Sequence, residues 1–137
     1  AIFDRIIALK KQGKTILLST NDMDEADTLC DRIAVMDHGR IITVDTPIKL
    51  KQMLGGDIIE LELLSSSQET VMQVRKLDFI KGVEKHDAKL ILIVERGEEA
   101  LPLLTGVLSK VGIKSIGMRK PNLADVFFKL TGRALRE

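Results

Sequence analysis

The side chains able to do chemistry are concentrated in one stretch, Asn21-Asp22-Met23-Asp24-Glu25-Ala26-Asp27, followed closely by the single cysteine, Cys30. By residue type, Asp24, Glu25 and Asp27 suggest a cation site. On a short helix, however, they point in different directions, and no further ligands recur at the spacing of a calcium loop. They read instead as a solvated face near a helix N-terminus, which favours acids electrostatically. Cys30 falls on the inward side of that helix beside Leu29 and reads as a small buried apolar residue rather than a reactive thiol. One cysteine excludes an internal disulfide, and with only His38 and His86 beside it no zinc cluster can be assembled. Both histidines fall at expected turns with no cysteine or carboxylate partner at catalytic or metal spacing, so neither is assigned a role. Lys49, Lys51, Arg75 and Lys76 read as isolated, solvated basic positions. No G-x-x-x-x-G-K-[ST] phosphate loop is present, since no glycine opens a helix before Lys-Ser/Thr.

Composition narrows the classes further. The 137 residues suffice for one ordinary domain or two small units. At 45% hydrophobic, the chain has material for a core. Four Phe and no Tyr or Trp argue against a base-stacking platform. Lys and Arg (21) balance Asp and Glu (20), so there is no basic field to hold a phosphate backbone and nucleic acid is not an expected partner. The lone cysteine fits a reducing, cytosolic setting, and no apolar run approaches the ~20 residues that span a bilayer. The chain opens at Ala1 directly in helical pattern, which reads as a sequence joined midway, a fragment, rather than as a cleaved signal peptide.

The elements that must position these residues follow from periodicity. Apolar groups at Ile2, Phe3, Ile6, Ile7 and Leu9 make one face of a helix that Gly13 stops. Thr15–Ser19 is a short, β-branched, apolar run that predicts a strand buried on both faces. Asp22, with Glu25 three residues on, predicts a capping box for a helix over Met23–Cys30. Arg32–Met36 and Ile41–Val44, around a Gly-containing turn, predict a hairpin. Thr46-Pro47 starts another helix to about Leu54, and Gly55-Gly56 breaks it. From Asp57 the pattern is strand (Ile58–Leu64), Ser-rich cap, helix (Gln68–Leu77), strand (Val83–His86), strand (Leu90–Val94), helix (Glu98–Val111) and strand (Ile113–Met118). A final helix opens at Pro121-Asn122 and closes at Gly132. The βαββαβ order is the ferredoxin-like arrangement.

The run Leu18-Ser19-Thr20-Asn21-Asp22-Met23-Asp24-Glu25-Ala26-Asp27, continuing through Cys30-Asp31-Arg32 to Asp37-His38-Gly39-Arg40-Ile41, resembles the switch-loop segment of ABC-transporter ATPases. In that family a Ser/Thr-His pair ends a strand, a Glu-Ala-(Glu/Asp) helix follows, and Asp-Arg opens a hairpin closing on Gly-(Lys/Arg). Asn21 stands where the family has the histidine that contacts the γ-phosphate and helps orient the attacking water. An asparagine can donate a hydrogen bond to phosphate but cannot carry a proton. The resemblance therefore implies weak hydrolysis or a position altered to trap ATP; as a plain turn residue Asn21 would simply support the bend.

Residues Lys120-Pro121-Asn122-Leu123-Ala124-Asp125-Val126-Phe127-Phe128-Lys129-Leu130-Thr131-Gly132-Arg133 resemble the ending of the drug-resistance (daunorubicin-type) branch of the same family. From the residues alone this is an amphipathic helix packing Leu123, Val126, Phe127 and Leu130 onto a sheet. The two resemblances imply an α/β protein: the truncated end of a P-loop ATPase domain over residues 1–54, followed by a ferredoxin-like α+β accessory domain over 55–137. The Walker A, signature and Walker B segments are absent, so the chain alone is expected to be inactive. The longer protein would bind ATP and Mg2+ through Asn21 and segments not in this sequence. It would pair with a second copy of the ATPase subunit and with transmembrane permease subunits, in the cytoplasm at the inner face of the membrane. The alternative is a small-molecule-binding regulatory or dimerisation module of ferredoxin-like fold; an RNA-binding module would need exposed aromatics on its central strands, and there are none. Uncovered apolar surface over residues 1–54 implies a homodimer or segment exchange between chains.

Overall fold

The structure is a computed structural model that describes residues 2–65 and 67–132. Ser66, within the expected Ser-rich cap, and Arg133, last of the quoted motif, lie outside the described residues. Two compact units are formed, one from residues 2–53 with 122–132 and one from 54–121.

In the first unit, helix α1 (Ile2–Lys11) places Ile6 half-buried and leaves Ile2, Phe3, Ile7 and Leu9 exposed. The strand expected at Thr15–Ser19 is not formed. Among the described residues the segment has no regular secondary structure and no neighbouring strand, and Leu17 is 99% exposed. β-branched residues favour extended backbone, yet a strand exists only where a second one accepts its N–H and C=O groups. Helix α2 (Met23–Leu29) buries Ala26 and Leu29. Its N-cap Asp22 accepts the Glu25 N–H at 3.1 Å as expected. The return bond does not come from Glu25: the Thr20 hydroxyl accepts the Asp22 N–H at 2.9 Å. Lys10 Nζ donates to the Leu29 carbonyl at 2.7 Å and reaches Asp31 at 3.2 Å, placing a cation at the C-terminal end of α2 where the dipole favours it.

The hairpin pairs β1 (Ile33–Asp37) with β2 (Arg40–Asp45) around His38-Gly39. Both turn residues have positive φ, 51° and 73°, as a two-residue type I′ turn requires. Thr46 caps α3 (Pro47–Gln52), accepting the Lys49 N–H at 3.2 Å, and Leu50 is fully buried. The last helix, α6 (Leu123–Thr131), carries a complete capping box: Asn122 accepts the Asp125 N–H and Asp125 accepts the Asn122 N–H. It belongs with this first unit and not with the 55–137 unit in which the sequence pattern grouped it. The reason is its apolar face, because Leu123, Val126 and Phe127 share one cavity wall with Leu29 and Leu50.

The second unit is a four-stranded antiparallel sheet with two helices. Its elements are β3 (Asp57–Leu63), α4 (Gln68–Arg75), β4 (Ile80–His86), β5 (Lys89–Val94), α5 (Gly97–Val107) and β6 (Ile113–Arg119), in sheet order β4-β5-β3-β6. β3 and β4, joined through α4, are parallel with β5 between them, which is the split βαβ pattern. Alternation decides the faces. Ile59, Leu61 and Leu63 of β3 and Leu90, Leu92 and Val94 of β5 pack with Val74, Ala100, Leu104 and Leu108 in one core, while Glu60 and Glu62 take the other face. The edge strand β4 carries exposed Lys81 and Lys85, which discourage pairing with another chain. Gly56 has to be glycine, because a Cβ there would run into the Val94 carbonyl oxygen. Pro102 lies inside α5, so the Glu98 carbonyl has no i+4 amide to accept, and Glu98 is exposed.

Candidate functional site

Asn21 sits at a bend just before the cap of α2 and is exposed. It is one of the residues lining an apolar cavity of about 820 Å³ within the first unit, together with Leu18, Met23, Leu29, Leu50 and Phe127. Two neighbours fix the bend: the Thr20–Asp22 bond on one side and the Asp22–Glu25 bond on the other. A polar side chain is thus held at the rim of an apolar surface, at the point where a helix begins. Gly13-Lys14-Thr15 superficially echoes the end of a phosphate loop, but it follows α1 and leads into a segment without helix, so no helix N-terminus backs it. The described residues therefore do not fit ATP on their own.

The remaining sequence candidates fall as follows. Asp27 is not merely solvated: Lys51 Nζ of α3 donates to both of its oxygens, at 2.9 and 3.1 Å, so two residues read separately as surface charges form a link between α2 and α3. Asp24 stays exposed, and its carbonyl accepts from Thr28. Cys30 is half-buried at the end of α2, and burial pushes its thiol up, with Lys10 opposing, which suits an inert packing role. The histidines do have carboxylates nearby: His38 Nε2 lies 3.8 Å from Asp37 and His86 Nε2 lies 3.7 Å from Glu84, both longer than a hydrogen bond. Lys49, Arg75 and Lys76 are exposed. Among the described residues no group of carboxylates, histidines and cysteine converges as a metal site, and no helix is long and apolar enough to cross a membrane.

The best-formed polar constellation was missed from the sequence. Asp57, buried at the start of β3, accepts the Gly97 N–H at 2.8 Å with one oxygen and Lys120 Nζ at 2.7 Å with the other. The three positions are 40 and 63 residues from Asp57 or coincide with it, so no local signal joins them. Only the antiparallel register, which sets Ile58 opposite Arg119, brings them to one corner. The Lys120 hydrogen bond, then the Gly97 N–H, hold the Asp57 carboxyl below its usual range against the opposing effect of burial, and the hydrogen bond to Asp57 and its charge raise the Lys120 ammonium. The signs give opposite pH limits. A lowered carboxyl stabilises the fold above the ordinary value of about 3.9 and loses that contribution as pH falls through its folded value. A raised ammonium stabilises below 10.5 and loses it as pH climbs through its higher folded value. The stability gap between the parent chain and Asp57→Asn should therefore be fully open at pH 7 and close as pH falls below about 4, read as urea midpoints at the two pH values.

A capped helix behind Asn21, a hairpin and a βαββαβ unit, with no phosphate cradle, are the parts of the C-terminal end of an ABC-type ATP-binding protein. Residues 46–131 match the family described as ATP-binding protein DrrA1-3-like, C-terminal domain, and the chain belongs to that family. The match begins at the N-cap of α3 and ends on the last residue of α6. Relatives include the linearmycin resistance ATP-binding protein LnrL of Bacillus subtilis, 29% identical over 99% of this chain and 45% of the relative. The daunorubicin resistance ATP-binding protein DrrA2 of Streptomyces coeruleorubidus is 35% identical over 96% of the chain and 42% of its own length. The Nod factor export ATP-binding protein I of Sinorhizobium fredii is 35% identical over 99% and 38%. The chain thus spans less than half the length of these relatives.

Proposed function

We propose that this chain is the C-terminal part of the ATP-binding, energy-coupling subunit of an ABC-type exporter. The observation that carries the reading is the joint presence, in one chain and in order, of the switch-like run over 18–41 and the family match over 46–131. The relatives' names, resistance to daunorubicin or linearmycin and export of Nod factor, support an export role. In the longer protein, ATP with Mg2+ would lie between two copies of the subunit, Asn21 would face the terminal phosphate, and closure would act on permease subunits at the cytoplasmic face of the membrane. Residues 1–54 would be the end of the ATPase domain and the sheet unit an accessory domain.

The test is nucleotide binding and turnover by a polypeptide carrying this segment behind a phosphate loop, compared with the 137-residue chain. ATP-dependent phosphate release by the longer protein and none by the short one is the expected result; no nucleotide binding by the longer protein would overturn the reading. As a separate polypeptide the short chain should self-associate, because Ile2 and Leu17 are 73% and 99% exposed and the 15–19 segment offers unpaired backbone. Light scattering at micromolar concentration should give a dimer or larger; a monodisperse monomer would count against it.

A further inference from the structure

Helix α5 begins without a local cap: Arg96 occupies the N-cap position and its side chain makes no capping bond. The carboxylate that takes the Gly97 N–H comes instead from Asp57 on β3. That carboxylate also holds Lys120, the residue directly after β6. β3 and β6 are the strands by which the chain comes into and leaves the sheet unit, and they are neighbours in the sheet. Further bonds gather at the same corner. Lys81 Nζ donates to the Gly55 carbonyl at 3.2 Å, Arg119 Nε to Glu60 at 2.9 Å, and Arg119 also donates to the Lys120 carbonyl at 3.2 Å.

We propose that Asp57, Gly97 and Lys120 form an ionic latch, so that the first turn of α5 and both strand ends at this corner open and close together as one local event. The two partners of Asp57 have unequal roles. The Asp57 side chain is 12% exposed and supplies the cap, so losing it leaves an N–H of α5 without an acceptor. The Lys120 side chain is 86% exposed, and a solvent-facing ion pair contributes little to global stability. Lys120 is therefore the releasable half. Glu95, Glu98 and Glu99 line the same cleft and offer its ammonium alternative partners once it lets go of Asp57. An opening that starts here frees the two chain passages while the core strands beyond Leu61 and Leu92 stay closed.

The test is amide hydrogen exchange on the whole chain, followed residue by residue. Lys120→Met should speed exchange at Gly97, Ile58 and Arg119 by about 2–5-fold while leaving Leu63, Leu90 and Val74 unchanged. Asp57→Ala, which removes the acceptor of the Gly97 N–H, should speed the same corner by about 5–30-fold, the range expected for a lost helix cap. The double variant should exchange no faster than Asp57→Ala alone, and 1 M salt should bring the parent chain to the level of Lys120→Met. An equal increase across the whole unit, or a double variant showing the product of the single factors, would overturn the latch. If Asp57→Ala fails to fold, the comparison of Lys120→Met with the parent in low and high salt still decides, since an absent salt effect at the corner rejects it.

Discussion

Leu104→Ala should lower the unfolding free energy of the sheet unit by about 2–5 kcal/mol, whereas Leu103→Ala, one residue earlier on the same helix, should change it by about 0.5 kcal/mol or less. The contrast isolates burial, since helix position, propensity and chemistry are nearly identical. Leu104 is fully buried, on the face that α5 turns towards Leu61 and Leu92, while Leu103 is 51% exposed. Removing three carbons from the first leaves a cavity among rigid strands that cannot collapse to fill it. Removing them from the second exposes little that water did not already reach. With no Trp or Tyr in the chain, far-UV circular dichroism against urea is the suitable measurement. Equal losses for the two variants would mean that α5 does not pack as described.

In a longer protein with a complete nucleotide site, Asn21→His should raise ATP turnover by about 10²-fold while leaving ATP affinity nearly unchanged. The amide of asparagine donates a hydrogen bond as an imidazole does, so ground-state binding is largely kept. Only the imidazole accepts and returns a proton near neutral pH. The cap of α2 is made by the Thr20–Asp22 and Asp22–Glu25 bonds, so the substitution should leave it in place. The two kinetic quantities separate the explanations: a changed affinity with constant turnover would make Asn21 a binding group, and no change in either would make it a turn residue.

The sheet unit was legible because its apolar alternation and helical periods agree: Ile59, Leu61 and Leu63 at spacing two leave little freedom of register. The caps at Asp22, Thr46 and Asn122 were likewise readable, each being a local bond between residues three apart. What failed was non-local. Thr15–Ser19 has the composition of a buried strand, but composition cannot provide a neighbour. The last helix has an apolar face that fits any apolar surface, and only folded coordinates show which one it takes. The Asp57 corner was invisible for the same reason, because a helix cap supplied from 40 residues away leaves no trace at the helix itself.

The interruption of the first unit by residues 54–121 also constrains how the protein is made. Leu29 and Leu50 emerge from the ribosome well before Leu123 and Val126, the residues that complete their cavity wall. Roughly 70 residues separate the two parts, and at about 5–20 residues per second their synthesis takes about 4–14 seconds. The sheet unit is complete only once Lys120 appears, three residues before Leu123, so the earlier apolar surface stays uncovered through nearly all of that synthesis, until the last helix arrives.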